Sequence, residues 1–212
     1  MPLHVASTEA RYVPSSEERV TFQRQHWVRL SGFLEVRLLD RVVKEIARAV
    51  FDETAHRSVA ERSVDLRSIG CAASEVLVLV CNDPVVLRGI EDITGCRPLT
   101  RFNGSIYRMT EQSGHQQAWH DDLVDGRRVT LSVNLGAGYR GGELQLRQRG
   151  AARAFAVVPN TCPGDAVLFR LDESIEHRVT PVTSGVKTAF AGWFRRGRPL
   201  RDELKRSVEL VT

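Results

Sequence analysis

The stretch Pro163–Phe194, PGDAVLFRLDESIEHRVTPVTSGVKTAFAGWF, decides the fold. Short runs rich in Val, Phe, Thr and Ala alternate with polar residues, and Gly164, Pro181, Gly185 and Gly192 interrupt them at close intervals. Period-two alternation marks half-buried strands, because successive strand side chains point to opposite faces. The same texture begins after Pro98 and is punctuated by Gly114, Gly126, Gly136, Gly138, Gly141, Gly142, Gly150 and Pro159. Many short strands with turn signals at this spacing predict a mainly β architecture, a sandwich, jelly roll or barrel, over about 98–196.

Upstream the pattern is helical. From Leu34 to Phe51 the residues Leu34, Leu38, Leu39, Val42, Val43, Ile46 and Val50 recur at three- and four-residue steps, which predicts one amphipathic helix. Trp27, Val28 and Leu30 suit a short strand before it. Val76–Cys81 reads as a buried strand or helical turn, and Asp83-Pro84 offers an N-cap and first-turn proline for a helix that runs to about Ile93 and stops at Gly95. Support helices are thus expected over about 33–95, and Leu200, Leu204, Val208 and Val211 predict a closing helix over about 199–211. Residues 1–20 have no periodic apolar face and are expected to be a flexible arm that can fold over a site, followed by a single domain over 21–212.

Composition narrows the class. The 212 residues are 42% hydrophobic and 26% charged, ordinary globular proportions that exclude a mainly disordered or fibrous chain. A net charge of +4 spread along the sequence gives no basic stripe, so a nucleic-acid partner is not expected. Of the 30 basic residues only Lys44, Lys187 and Lys205 are lysine. Cys71, Cys81, Cys96 and Cys162 fit neither a zinc pattern nor a disulfide framework and are read as reduced thiols of a cytoplasmic protein. The polar opening and the shortness of the longest apolar run indicate no leader and no membrane span.

Two segments carry chemistry. In Trp119-His120-Asp121-Asp122, strand geometry would present His120 and Asp122 on one face and turn Asp121 away. His177 lies 55 residues beyond Asp122 on another extended run. Two imidazoles and one carboxylate on one face leave three open positions on an octahedral metal, as in non-haem Fe(II) oxygenases, whereas zinc prefers a closed tetrahedron or a single water. Lys187, flanked by apolar residues on an interior strand, needs an anionic partner, and a dicarboxylate would supply one.

In this order His120-Asp121-Asp122, Gly141-Gly142-Glu143-Leu144, Pro163-Gly164-Asp165-Ala166-Val167-Leu168-Phe169, His177-Arg178-Val179, Lys187 and Trp193-Phe194 resemble the Fe(II)- and 2-oxoglutarate-dependent oxygenases, especially their prolyl-4-hydroxylase-like branch. The likeness covers roughly 106–194, and Phe22–Leu39 looks like the entry strand and first support helix of such proteins. It implies a double-stranded β-helix of cupin-like, jelly-roll form. It further implies iron held by His120, Asp122 and His177, and 2-oxoglutarate held through its distal carboxylate by Lys187, with Tyr107 as a further cosubstrate contact. Oxygen would complete the site and ascorbate could serve as reductant. The implied reaction is oxidative decarboxylation of 2-oxoglutarate to succinate and carbon dioxide, coupled to hydroxylation or desaturation of an unactivated C–H bond. Because Asp122 is present, no ligand position is vacated for chloride, and halogenation is not expected.

The substrate is not named by any motif. A small molecule, such as an amino acid or specialised metabolite, is the leading expectation; a prolyl or peptidyl side chain is the alternative, and a jelly-roll binding module without metal is the reading from another class. A nucleic-acid demethylase would need a basic stripe and an aromatic platform that the sequence lacks. Gln117, Trp119, Arg178 and the Leu123–Arg128 loop are the candidate substrate walls, with His115 a weaker one. Gly141 and Gly142 are read as turn or bulge residues without a chemical role. Oligomeric state is not legible.

Overall fold

The computed structural model describes residues 4–5, 10–11, 16–56, 63–111 and 118–202. A strand pair, β1 (His4–Val5) and β2 (Ala10–Arg11), precedes helix α1 (Ser16–Gln25) and strand β3 (Trp27–Leu30). Helix α2 (Val36–Ile46) leads into the hairpin β4 (Val50–His56) and β5 (Ser63–Ile69), followed by α3 (Ala72–Cys81) and α4 (Pro84–Thr94). The β core then comprises β6 (Arg101–Thr110), β7 (Arg127–Asn134), β8 (Arg140–Gly141), β9 (Leu144–Gln148), β10 (Ala156–Val158), β11 (Ala166–Arg170), β12 (Ile175–Val179), β13 (Val182–Ser184) and β14 (Val186–Arg195).

Seven antiparallel strands form the major sheet in the order β3-β11-β7-β14-β6-β5-β4, and a three-stranded sheet runs β10-β9-β12. Strand alternation gives the major sheet two different faces. Phe102, Ile106, Phe190 and Phe194 point to the helices and pack with Leu77, Val86, Ile90 and Ile93 in the main core. Lys187, Ala189, Ala191 and Trp193 point the other way, toward the small sheet, where His177 and Val179 of β12 and Leu144 of β9 face them across a cavity. The mainly β, double-stranded β-helix architecture expected from the glycine-punctuated segment is the one observed.

Asp165, at the start of β11, ties the layers together. Its carboxylate accepts from the Arg29 guanidinium, from Gly32 N–H at 2.7 Å and from Cys162 N–H at 3.1 Å. The cap of α4 follows the sequence signal: Asp83 accepts from Val85 N–H at 2.7 Å, Pro84 occupies the first turn, and Gly95 ends the helix at φ 72°.

Two expectations need correction, one open alternative is decided, and one falls largely outside the described residues. The helix anticipated from Leu34 to Phe51 ends at Ile46; Val50 and Phe51 instead pair with Ile69 and Ser68 in the β4–β5 hairpin, which widens the major sheet within the region expected to be helical. Val50 stands four residues after Ile46, so its spacing mimics a further helical turn. Val76–Cys81 belongs to a helix, α3, that buries Ala73, Leu77 and Cys81 at four-residue steps and exposes Val76 and Leu79. The arm expected over 1–20 gives way to α1 at Ser16, whose Phe22 is fully buried, and Ala10 of β2 packs against the main core. The closing helix starts at Leu200, and its course beyond residue 202 lies outside the described residues, as do 1–3, 6–9 and 12–15 of the arm.

Phe102 stacks on Phe194 at 4.7 Å and on Phe190 at 5.6 Å with no solvent exposure. Phe102→Ala would leave a large cavity beneath β14 and is expected to cost about 3–5 kcal/mol, read as a lowered midpoint in urea unfolding.

Candidate active site

His120 and His177 are joined first by backbone. His120 N–H donates to His177 O at 3.0 Å and His177 N–H donates to His120 O at 2.8 Å, an isolated antiparallel bridge that docks the segment after residue 118 onto β12. The bridge sets the two imidazole centroids 4.2 Å apart. Asp122 reaches the same point by a different route from the one expected. It is not on a strand; it adopts the left-handed region at φ 56°, a conformation Asp tolerates, and this turn brings its carboxylate back beneath both rings. Its Oδ2 lies 3.5 Å from His120 Nε2 and 3.4 Å from His177 Nε2. Asp121 turns aside, accepting from Leu123 N–H at 3.0 Å and pairing with Arg149.

The ligating atoms of His120, Asp122 and His177 all lie within 4.8 Å of one another. Burial pushes the His177 imidazole down, with the neighbouring His120 charge adding to the effect, so His177 is held neutral and able to ligate. Burial works against ionisation of Asp122, but hydrogen bonds and charge from the two imidazoles prevail and hold its carboxyl well below the usual range. His120 turns Nδ1 to the Ala118 carbonyl at 2.6 Å, which leaves Nε2 facing inward. Trp193 Nε1–H donates to Asp122 Oδ2 at 2.8 Å and Arg127 Nη1 donates to Oδ1 at 3.3 Å, so both carboxylate oxygens are oriented from outside the triad.

A cavity of about 440 Å³ extends from the triad along the inner face of the major sheet. At its other end Lys187 is 7% exposed, and its ammonium donates to the Gly142 carbonyl. Burial depresses the Lys187 pKa to about 8, against the pull of Glu143. Tyr107, directly across from Ala189 in the β6–β14 ladder, lines the cavity beside it, its phenol hydrogen-bonded to Ser132. Burial, with a smaller contribution from Asp65, pushes the phenol up to about 12. Tyr139 and Asn134 close this end, the phenol donating to Asn134 Oδ1 at 3.2 Å. Arg67 also reaches the wall, bridging Asp65 and Ser105.

The residues present fit the groups the resemblance implied. Two imidazoles and a carboxylate are the oxygen- and nitrogen-donor set of an Fe(II) facial triad. A buried ammonium with one carbonyl partner is the counterpart of a carboxylate, and the Thr130 hydroxyl, buried in the cavity wall, finds no hydrogen-bond partner among the described residues.

Of the residues expected to act, the structure thus gathers His120, Asp122, His177, Lys187 and Tyr107 around one cavity. Trp119 and Arg178 stand outside its lining. Trp119 is sandwiched between the Arg147 and Arg178 guanidinium groups at 4.3 and 4.6 Å, and Arg178 donates to Gln145 at 2.8 Å. Gln117 and His115 lie outside the described residues. From the Leu123–Arg128 loop, Val124 and Arg127 reach the cavity. Reading Gly142 as a turn residue without chemical role missed its contribution: at φ 71° its carbonyl meets Lys187, and a Cβ there would stand 2.9 Å from Lys187 Cδ. Arg67, Asn134, Tyr139 and the Trp193 hydrogen bond were missed because no local pattern distinguishes them from ordinary strand residues.

Residues 104–195 match the family model of the 2OG-Fe(II) oxygenase superfamily. No curated protein sequence matches the chain. Among solved structures it is similar to an oxidoreductase of the 2OG-Fe(II) oxygenase family from Burkholderia pseudomallei, at 15% identity and TM-score 0.69 over 93% of this chain and 98% of that one. It is also similar to a Trichoplax adhaerens prolyl hydroxylase in complex with a hypoxia inducible factor peptide fragment, at 19% identity and TM-score 0.66 over 91% of both chains. A Pseudomonas putida prolyl-4-hydroxylase aligns at 18% identity and TM-score 0.55 over 84% of this chain and 97% of that one. The match to the 2OG-Fe(II) oxygenase superfamily model covers the β core, and the fold is the one these oxygenase and prolyl hydroxylase structures share. The matched family model is that of oxygenases named for 2-oxoglutarate and Fe(II), the two groups that the triad and Lys187 suit.

Gly142→Ala would both strain a left-handed backbone position and push the Lys187 side chain. It is expected to cost about 1–2 kcal/mol of stability, seen as a lower melting temperature, and to weaken 2-oxoglutarate binding measured by calorimetry.

Proposed function

We propose that the protein is a hydroxylase, or desaturase, acting on an unactivated C–H bond of a small molecule, with release of succinate and carbon dioxide. The observation that carries this reading is that the His120-Asp122-His177 triad and the buried Lys187 ammonium open onto one cavity of about 440 Å³. That volume lies toward the lower end of the roughly 300–1,000 Å³ range of small-molecule sites. With a cosubstrate in place, the remaining room suits a substrate of a few heavy atoms.

Each residue then has a task. His120, Asp122 and His177 would hold Fe(II), with Trp193 and Arg127 fixing the carboxylate. Lys187, cradled by Gly142, would take the distal carboxylate of 2-oxoglutarate, and Tyr107 would line the same pocket. The bound iron and 2-oxoglutarate together would supply oxygen activation. The chain's own contribution is to orient both, to exclude water through walls such as Val158, Val167, Val179 and Ala189, and to hold the substrate near the triad. Four unpaired thiols fit a reducing compartment such as the cytoplasm.

Peptidyl hydroxylation is the second reading. It is favoured by the likeness to prolyl hydroxylase structures, one of them described with a peptide bound.

Anaerobic addition of Fe(II) and then 2-oxoglutarate should raise a weak visible charge-transfer band that His177→Ala abolishes. Lys187→Ala should weaken 2-oxoglutarate binding by about 30-fold, on the basis of about 2 kcal/mol for losing one partner of a buried charge pair. Succinate release stimulated by small molecules and not by proline-containing peptides supports the first reading, and the reverse supports the second. No band in the parent protein overturns both.

The pH dependence follows from Lys187. The carboxylate partner requires the protonated amine, whose pKa in the empty site is depressed to about 8 by burial. Affinity for 2-oxoglutarate is therefore expected to be flat below pH 8 and to fall by about tenfold per pH unit above it. Lys187→Arg, whose guanidinium stays charged, should remove the fall; calorimetric titrations between pH 7 and 10 read both.

A further inference from the structure

The small sheet has a back as well as a face toward the cavity. On β12 His177 and Val179 point inward, so Glu176 and Arg178 point outward; on β9 Leu144 and Leu146 point inward, so Gln145 and Arg147 point outward. The register sets Arg178 beside Gln145 and Glu176 beside Arg147. The isolated bridge adds His120 to the inner side next to His177, and its chain neighbours Trp119 and Asp121 therefore lie on the back of the sheet.

These outward side chains are tied to one another across three stretches of chain. Arg147 Nε donates to Glu176 at 2.8 Å, and Arg178 Nε donates to Gln145 at 2.8 Å. Both guanidinium groups lie against the Trp119 ring, at 4.3 and 4.6 Å from its centroid. On the other side of His120, Arg149 pairs with Asp121 and reaches Glu176 at 3.9 Å. The segment that carries two of the three triad residues is thus attached to both β9 and β12, on both sides of His120.

The attachment matters because the backbone pairing is short. Among the described residues this segment meets β12 through one isolated bridge and not through a continuing ladder. Trp119 directly precedes His120 and stands three residues before Asp122, so whatever holds the indole limits how far both ligating groups can swing from His177. A cation over an aromatic face is attracted to it even at exposed sites, and more strongly when desolvated; here Trp119 is half-buried and the Arg147 side chain is 19% exposed. Trp119 is not part of the cavity lining, so it acts on the site from behind.

We infer that Trp119 is a positioning residue for the metal site: gripped between Arg147 and Arg178, it clamps the segment carrying His120 and Asp122 onto the small sheet and thereby sets the affinity for the metal. This role rests on the oxygenase reading for the identity of the metal and adds residues that tune its binding from outside the cavity. Groups that hold metal ligands from behind typically change metal affinity by about 10–100-fold.

The test uses the full-length, metal-free protein. Fe(II) is titrated anaerobically by calorimetry without 2-oxoglutarate, so affinity is read independently of the charge-transfer band, and amide hydrogen exchange at His120 and His177 is followed before metal is added. Trp119→Leu removes the aromatic face and keeps an apolar side chain, whereas Trp119→Tyr keeps the face. Trp119→Leu should bind Fe(II) about tenfold more weakly or worse and exchange both amides faster, while Trp119→Tyr should stay within about threefold of the parent. Arg147→Gln combined with Arg178→Gln leaves Trp119 in place and should reproduce the loss, which keeps the clamp testable where Trp119→Leu does not fold. Unchanged Fe(II) affinity in Trp119→Leu or in the double arginine variant, or equal weakening by Trp119→Leu and Trp119→Tyr, overturns the inference. A parent that binds Fe(II) but shows no charge-transfer band with 2-oxoglutarate overturns the oxygenase reading and leaves the clamp standing. A parent that binds no Fe(II) overturns both.

Discussion

The active site depends on a pair of backbone hydrogen bonds. The reciprocal bonds between His120 and His177 join a segment outside the regular sheets to β12, and every later feature of the site follows from that junction. It places two imidazoles against the cavity, their centroids 4.2 Å apart and their planes tilted by 52°. It also fixes where the chain must turn, and the left-handed Asp122 two residues on brings the carboxylate to the same point. The arrangement is held by two of the most directional bonds available to a chain.

Electrostatics then divides the cavity. The triad is a concentration of donor atoms with a carboxylate kept ionised by its neighbours. Lys187 is a cation that burial has made reluctant to remain charged without a partner. The apolar strand residues between them, Ala189 and Ala191 on β14 and Val179 on β12, leave room for a ligand and offer it no competing polar contacts. A ligand that carries a carboxylate at one end and metal-binding oxygens at the other satisfies both ends together. Trp193 links two of these residues: its indole N–H orients Asp122 while its face carries Arg127.

The sequence was legible wherever a local rule suffices. Asp83, Pro84 and Gly95 predicted α4 because capping and termination are settled within a few residues. Alternation in Gly185–Phe194 placed Lys187 and Ala189 on one face, and β14 has that phase. The β4–β5 hairpin was hidden because Val50 continues the spacing of α2 and the pairing partner lies well along the chain. The apolar run Val76–Cys81 could not declare its period, since nearly every position is apolar, and only packing chose Leu77 and Cys81 as the buried ones. Asp122 was assigned to the correct side for the wrong local reason: strand alternation and a left-handed turn both return the chain to one face.

What the sequence determined by itself is the inventory and its order: a histidine and an aspartate two apart, a distant histidine, a lysine ten residues later, and glycine-punctuated strands to carry them. Those features are local in the chain, and short-range geometry reads them directly. Only the tertiary structure decided that the four meet on one cavity, that Gly142 cradles Lys187, and that Trp193 and Arg127 reach the Asp122 carboxylate. These are contacts between residues far apart in the chain, fixed by strand register and by the His120–His177 bridge, and register is a property of the folded sheet rather than of any single segment.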